Sequence, residues 1–136
     1  MSLIFLDACA IIYLIEGADP WATRLRNTLI RLREDSPDIG VAVSDLSRLE
    51  CRVRPIREGQ HDLLALYDAF FSADDLTIVP LSPKVIDLAT SIRARTKLRT
   101  PDALQAACCL SLPQSCRFIT NDAAFEREAA LDIVLV

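Results

Sequence analysis

The 136-residue chain is expected to fold as an α/β protein, a single three-layer α/β/α domain on a central parallel sheet. Three observations predict this. Apolar runs of strand length recur five times, they do not alternate with polar residues, and helical periodicity fills the intervals. Unbroken apolar runs belong to strands covered on both faces, and alternation of strands with helices belongs to a doubly wound sheet. No internal repeat, low-complexity segment or long linker divides the sequence, so one domain over residues 1–136 is expected.

The strands are predicted at Leu3–Leu6, Val41–Val43, Leu76–Val79, Phe118–Thr120 and Ile133–Val136. Between the first two, Ala10 to Glu16 is a short apolar helix stopped at Gly17, and Trp21 to Glu34 is an amphipathic one with Leu25, Leu29 and Leu32 on one face. Leu46 to Val53 forms the next helix, ending before Pro55. Leu63 to Phe71 follows, with Leu64, Tyr67 and Phe71 in register. Pro83 reads as the first-turn proline of a helix from Lys84 to Arg95. Thr100 and Pro101 open another, Asp102 to Leu112, apolar nearly all round and ended by Pro113. A short helix is expected after Asn121. The apolar residues Ile11, Ile12, Leu14 and Ile15 are assigned to the core ahead of a docking surface.

Composition narrows the chemistry. Half the residues are hydrophobic and a quarter charged, as in globular proteins. No apolar stretch reaches membrane-spanning length and no basic region precedes the first apolar run, so neither a membrane segment nor a signal peptide is expected, and the cytoplasm is the default location. The five cysteines (Cys9, Cys51, Cys108, Cys109, Cys116) are odd in number and lack CxxC spacing; they read as reduced, mostly core residues. The one histidine, His61, lies in the polar stretch EGQHDLL, as a surface helix residue would. Ser/His/Asp and Cys/His catalysis therefore has little to stand on.

Three strands run into acids: LIFLD ends on Asp7, VAVSD on Asp45 and FITND on Asp122. Glu50 follows in SDLSRLE, and Asp102 stands at a helix start in TPDALQAA. In open parallel sheets function gathers beyond the carboxyl ends of the strands. Each acid also has an ordinary structural use. Asp7 can bond the amides of the next helix, Glu50 can close a capping box with Ser47, Asp102 can serve a helix first turn, and Asp122 can begin the last helix. Taken together they are harder to dismiss, because clustered carboxylates repel unless they share protons or hold a cation. Oxygen donors without organised Cys or His favour Mg²⁺ or Mn²⁺ over zinc.

The net charge of −4 argues on its face against a nucleic-acid partner. Setting aside Asp7, Glu50, Asp102 and Asp122, however, leaves as many acidic as basic residues. Arginines also flank these acids: Arg48, Arg52, Arg54 and Arg57 around Glu50, and Arg93, Arg95, Lys97 and Arg99 ahead of Asp102. An acidic metal pocket rimmed by arginine suits phosphodiester cleavage, although solvated helix faces account for the same residues. Arg48, Arg52 and Arg99 are the candidate substrate contacts. No aromatic-rich strand offers a stacking platform of the RNA-recognition kind.

LIFLDACAIIYL, AVSDLSRLEC, LRTPDALQAAC and FITNDAAF, in that order, resemble the four motifs of PIN-domain ribonucleases, and most closely those of VapC-type toxins of toxin–antitoxin pairs. The resemblance covers essentially the whole chain. It implies a PIN-like nuclease domain in which Asp7, Glu50, Asp102 and Asp122 bind Mg²⁺ or Mn²⁺ and cut RNA. Thr120 matches the hydroxyl residue that supports the site. Cys9 stands where relatives often carry Ser, Thr or Asn, which implies a weaker supporting hydrogen bond. A small antitoxin partner and a homodimer are implied as well.

The chemistry of the residues agrees with the resemblance. Asp7 and Asp102 are expected to be the central ligands, with Glu50 and Asp122 acting directly or through water; two ions would lie about 3.5–4 Å apart. A haloacid-dehalogenase phosphatase requires a second aspartate where Cys9 stands, a response-regulator receiver an early acidic pair, and a Rossmann domain a glycine-rich first turn that Gly17, Gly40 and Gly59 do not supply. The competing reading is a catalytically silent PIN-like scaffold that holds RNA or a protein.

Overall fold

The computed structural model describes residues 2–136. Five strands form one all-parallel sheet: β1 (Ser2–Leu6), β2 (Gly40–Ser44), β3 (Leu76–Val79), β4 (Ser115–Thr120) and β5 (Asp132–Leu135), in the order β3-β2-β1-β4-β5. Six helices accompany them: α1 (Ala8–Glu16), α2 (Trp21–Asp35), α3 (Asp45–Arg57), α4 (His61–Phe71), α5 (Pro83–Arg95) and α6 (Thr100–Ser111).

The unbroken apolar runs are explained by two cores. Side chains alternate along a strand, and here both faces are covered. Leu3 and Phe5 of β1 pack with Ala42, Phe118 and the helices α5 and α6, while Ile4 and Leu6 pack with Val43, Ile119 and residues of α1 to α4. Parallel register sets Phe5 opposite Phe118, and their rings stack with centroids 5.4 Å apart. The expected three-layer α/β/α arrangement is therefore present. Each buried Leu, Ile or Phe contributes roughly 1.5–3 kcal/mol relative to exposure, and β1 buries four such residues in a row, Leu3 to Leu6.

Several boundaries differ from the sequence expectation, each for a local reason. Helix α1 begins at Ala8, because Asp7 caps it: the carboxylate accepts from the Ala10 amide at 2.9 Å. Helix α3 runs through Pro55 to Arg57. Proline in a helix interior forfeits one hydrogen bond, but here the helix closes at once: the Glu58 amide donates to the Arg54 carbonyl and the Gln60 amide to that of Pro55. Gly59, at φ 65°, then turns the chain in a conformation side-chain-bearing residues disfavour. Ser44, not Ser47, caps α3, accepting from the Leu46 amide at 3.1 Å. Arg99 holds the cap position of α6, which begins two residues early at Thr100. Residues Ala123–Arg127 form a 3-10 turn in place of the last helix.

The five cysteines are free thiols, with Cys51, Cys108 and Cys109 buried, as expected of reduced residues. His61 is exposed at the start of α4. Ile11 is core, and Leu14 borders a groove of about 700 Å³ between α2, α4 and the starts of β2 and β3. Among the described residues no helix is long and apolar enough to cross a membrane.

Candidate active site

The strand order puts β1 beside β4, so Asp7 and Thr120, 113 residues apart in sequence, meet at adjacent strand ends. Asp7 is 5% exposed. Its Oδ1 accepts from the Ala10 amide at 2.9 Å and from the Cys9 thiol at 3.0 Å; its Oδ2 accepts from the Thr120 hydroxyl at 2.6 Å. Burial pushes the Asp7 carboxyl above its ordinary range and the charge of Asp122 adds to this, while these three hydrogen bonds oppose it. A carboxylate offers about four acceptor sites, so Asp7 retains room for another ligand.

Thr120 is fully buried and serves both sides: its hydroxyl also accepts from the Asp122 amide at 3.0 Å. Asp122 itself is exposed and caps the 3-10 turn through the Ala124 amide at 2.9 Å. Asp102 stands half-buried in the first turn of α6. Burial raises its pKa and Asp122 raises it further, with Arg99 pulling it down. Glu50, in α3, is raised by burial and by Asp102 and Asp7, against a hydrogen bond from Gln105. The four acids thus feel one another across four different elements, and each has the local structural use the sequence allowed except Glu50, which forms no capping box.

Cys9 takes the supporting position with a thiol, a weak donor. Its thiol donates to Asp7 and lies 3.2 Å from Asn121 Oδ1 as a second acceptor. Burial and the neighbouring Asp7 push it up to about 12, so it stays a protonated donor at neutral pH. The arginines divide. Arg99 faces Asp102 electrostatically, whereas Arg48 pairs with Asp45 at 2.6 Å and Arg52 with Asp68 of α4 at 3.2 Å. Those two are exposed pairs, of the kind worth about 1 kcal/mol or less, and readily exchanged for another anion. Asp45, the third strand-end acid, is occupied by Arg48 away from the cluster.

Two further residues complete the cluster: Gln105, which sequence reasoning passed over, and Ser47, which it read only as a capping partner of Glu50. Gln105 lies one turn beyond Asp102 on α6 and is 3% exposed. Its Nε2 donates to Glu50 Oε1 at 3.1 Å and to the buried Ser47 hydroxyl at 2.9 Å, and its Oε1 has no partner. The carboxylate fixes the amide's orientation, since only the nitrogen can donate to it. Spacing held the signal: Gln105 is three residues after Asp102, and Ser47 three before Glu50, so each pair shares a helix face.

Among the described residues, no three His, Cys, Asp or Glu side chains are grouped closely enough to form a compact metal centre. The donor set nevertheless fits a hard cation. All four acids offer oxygen only, and Mg²⁺ characteristically keeps several waters while binding one or two carboxylates. Four acids that raise or are raised by one another are also what a cation relieves.

Comparison with known proteins agrees with this architecture. Among curated protein sequences none matches significantly. Solved structures do match in fold. VapBC2 from Rickettsia felis, bound to a DNA fragment from its promoter, aligns with a TM-score of 0.76 at 18% identity over 98% of each chain. VapBC-1 from nontypeable Haemophilus influenzae aligns at 0.71, with 17% identity, over 98% of this chain and 97% of that one. A toxin–antitoxin complex from Klebsiella pneumoniae aligns at 0.68, with 19% identity, over 96% and 95%. The PIN domain model matches residues 4–131, a span from β1 to the residue before β5 that includes all four acids, and on that match the chain belongs to the PIN domain family.

Proposed function

We propose that the chain is a divalent-metal-dependent endoribonuclease, the toxin of a type II toxin–antitoxin pair, hydrolysing RNA phosphodiester bonds at Asp7, Glu50, Asp102 and Asp122. The observation that carries this is a buried, hydrogen-bonded Asp7 at a strand end, within electrostatic reach of Glu50 and Asp122, with the pKa values of Asp7, Glu50 and Asp102 raised. Membership of the PIN family and the likeness in fold to VapBC toxins support it.

In this reading Asp7 and Asp102 are the central ligands of Mg²⁺ or Mn²⁺, with Asp122 and Glu50 beside them. The cation supplies a Lewis acid that acidifies water and neutralises charge on the scissile phosphate. The protein's own groups do the rest. The Ala10 amide, Cys9 and Thr120 hold Asp7 in one orientation, and Thr120 ties Asp122 to it. Gln105 holds Glu50. With His61 on α4, proton transfer falls to water or to a carboxylate outside the central pair, and the raised pKa of Glu50 suits that work. Arg99 is placed to meet RNA phosphate beside Asp102, with Arg48 and Arg52 further along α3.

A small antitoxin is the proposed protein partner and a second copy of the chain another. Leu49, Val53 and Ile56 form an exposed stripe on α3 beside the oppositely charged Asp45 and Arg48, which is the self-complementary mixture a two-fold contact uses. The cytoplasm is the proposed location. The scaffold reading is favoured by one observation, that the acids are not closely grouped. Calorimetric titration of Mn²⁺ decides between them: binding to the wild type and none to Asp7→Asn is expected of the nuclease. No binding to either would move the scaffold ahead.

A further inference from the structure

The nuclease reading leaves Asn121, Tyr13 and Trp21 without a role, yet they form a chain leading out of the acid cluster. Cys9 and Tyr13 are four residues apart on α1 and so share a face. Asn121 bridges them: its Oδ1 accepts from the Cys9 thiol at 3.2 Å and its Nδ2 donates to the Tyr13 hydroxyl at 2.7 Å. Both ends of the amide are thereby used, and the single Cys9 S–H is shared between Asn121 Oδ1 and Asp7 Oδ1. Tyr13 is close enough to feel the Asp7 charge. Beyond it the Trp21 ring stacks on Tyr13, centroids 5.5 Å apart and planes within 15°. Trp21 is 37% exposed at the first position of α2.

From this geometry we propose that Tyr13 and Trp21 form a stacking subsite for an unpaired nucleobase of the RNA next to the scissile phosphate. The proposal rests on the nuclease reading and adds to it a substrate contact. Aromatic faces bind bases of any sequence, and single-stranded RNA is gripped in this way by other folds. The two aromatics come from helices rather than from a strand, which is why no platform was legible in the sequence. Asn121 does the placing: it ties Tyr13 to Cys9, so the aromatic pair keeps a constant relation to Asp7. The bases would lie on the aromatics while the backbone passes over the acids and Arg99.

Trp21 is the only tryptophan in the chain, so its own emission reports the contact. The probe is an end-labelled, 12-nucleotide, mixed-sequence single-stranded RNA, followed by anisotropy and by tryptophan emission together. Wild-type protein is titrated in EDTA, and the Asp7→Asn protein in Mg²⁺, so that the RNA stays intact. Saturable quenching of Trp21 emission in step with anisotropy is expected. Trp21→Ala is expected to weaken binding about tenfold or more, and Trp21→Phe to recover most of it. RNA that binds without quenching, and equally well to Trp21→Ala, overturns the subsite and leaves the nuclease reading standing. RNA that binds in neither condition removes the substrate reading and the subsite with it.

Discussion

Asp7→Asn should make the protein more stable at pH 7 while removing its activity. The substitution preserves the size of the side chain and most of its bonding. Asparagine caps helices as well as aspartate, its oxygen can accept from Ala10 and Cys9, and its amide can donate to the Thr120 oxygen, replacing the bonds Asp7 now makes. What disappears is a carboxylate 5% exposed to water and repelled by Asp122. Burying charge without an opposite charge is unfavourable, and relief of such functional sites stabilises by about 0.5–2 kcal/mol. At about 2.1 cal/mol/K of unfolding entropy per residue, the melting temperature should rise by about 2–7 °C. The sign of the pH dependence follows. The folded pKa of Asp7 lies above its ordinary 3.8, so the folded state holds the proton more tightly. That stability is present at acid pH and lost as pH rises through the folded pKa. Wild type and Asp7→Asn should therefore melt together in acid and separate toward neutral pH. Mn²⁺ should reverse the order, since a ligand at a hundred times its Kd adds about 2.7 kcal/mol to whichever protein binds it. Differential scanning calorimetry across pH, with and without Mn²⁺, reads all of this. A variant less stable than wild type at pH 7 without metal would refute the reasoning.

Thr120→Val, nearly isosteric, removes a hydroxyl that serves Asp7 and the Asp122 amide; a loss of about 1.5–3 kcal/mol is expected in urea denaturation. Gln105→Leu frees Glu50 from its amide donor and should weaken Mn²⁺ binding about 10- to 100-fold in calorimetry, as loss of a ligand's hydrogen-bonding support does elsewhere. Arg95→Ala strands Glu128, a carboxylate 2% exposed whose other bond comes from the Ala130 amide, and should lower the denaturation midpoint by the equivalent of about 1–3 kcal/mol. Ile56→Glu introduces charge into the exposed stripe of α3 and should convert a dimer to a monomer in light scattering, leaving the melting temperature within a few degrees.

Much of the fold was legible because it follows from local rules. Leu3–Leu6 had to be a strand covered twice, and it sends Leu3 and Phe5 to one core and Ile4 and Leu6 to the other. Rules of the same kind misplaced the end of α3, since Pro55 is a strong breaker alone but a mild one when the helix has two residues left to run. Ser47 looked like a cap because its spacing to Glu50 fits one; tertiary packing instead gave it Gln105 as a partner. The arginines show the widest gap. Their number near the acids could be counted in the sequence, but whether Arg48 and Arg52 meet RNA or Asp45 and Asp68 depends on where α4 lies.

By itself the sequence determined the strand and helix types, the cover on both sheet faces, and the placement of Asp7 and Asp122 at strand ends, all of which express side-chain preferences acting within a turn or two. Only the tertiary structure decided that β1 lies between β2 and β4, that Thr120 reaches Asp7 across 113 residues, that Gln105 reaches Glu50, and that Asn121 joins Tyr13 to Cys9. Those contacts are chosen by the burial of two cores and by the requirement that buried polar groups find partners, and both conditions act over the whole chain at once.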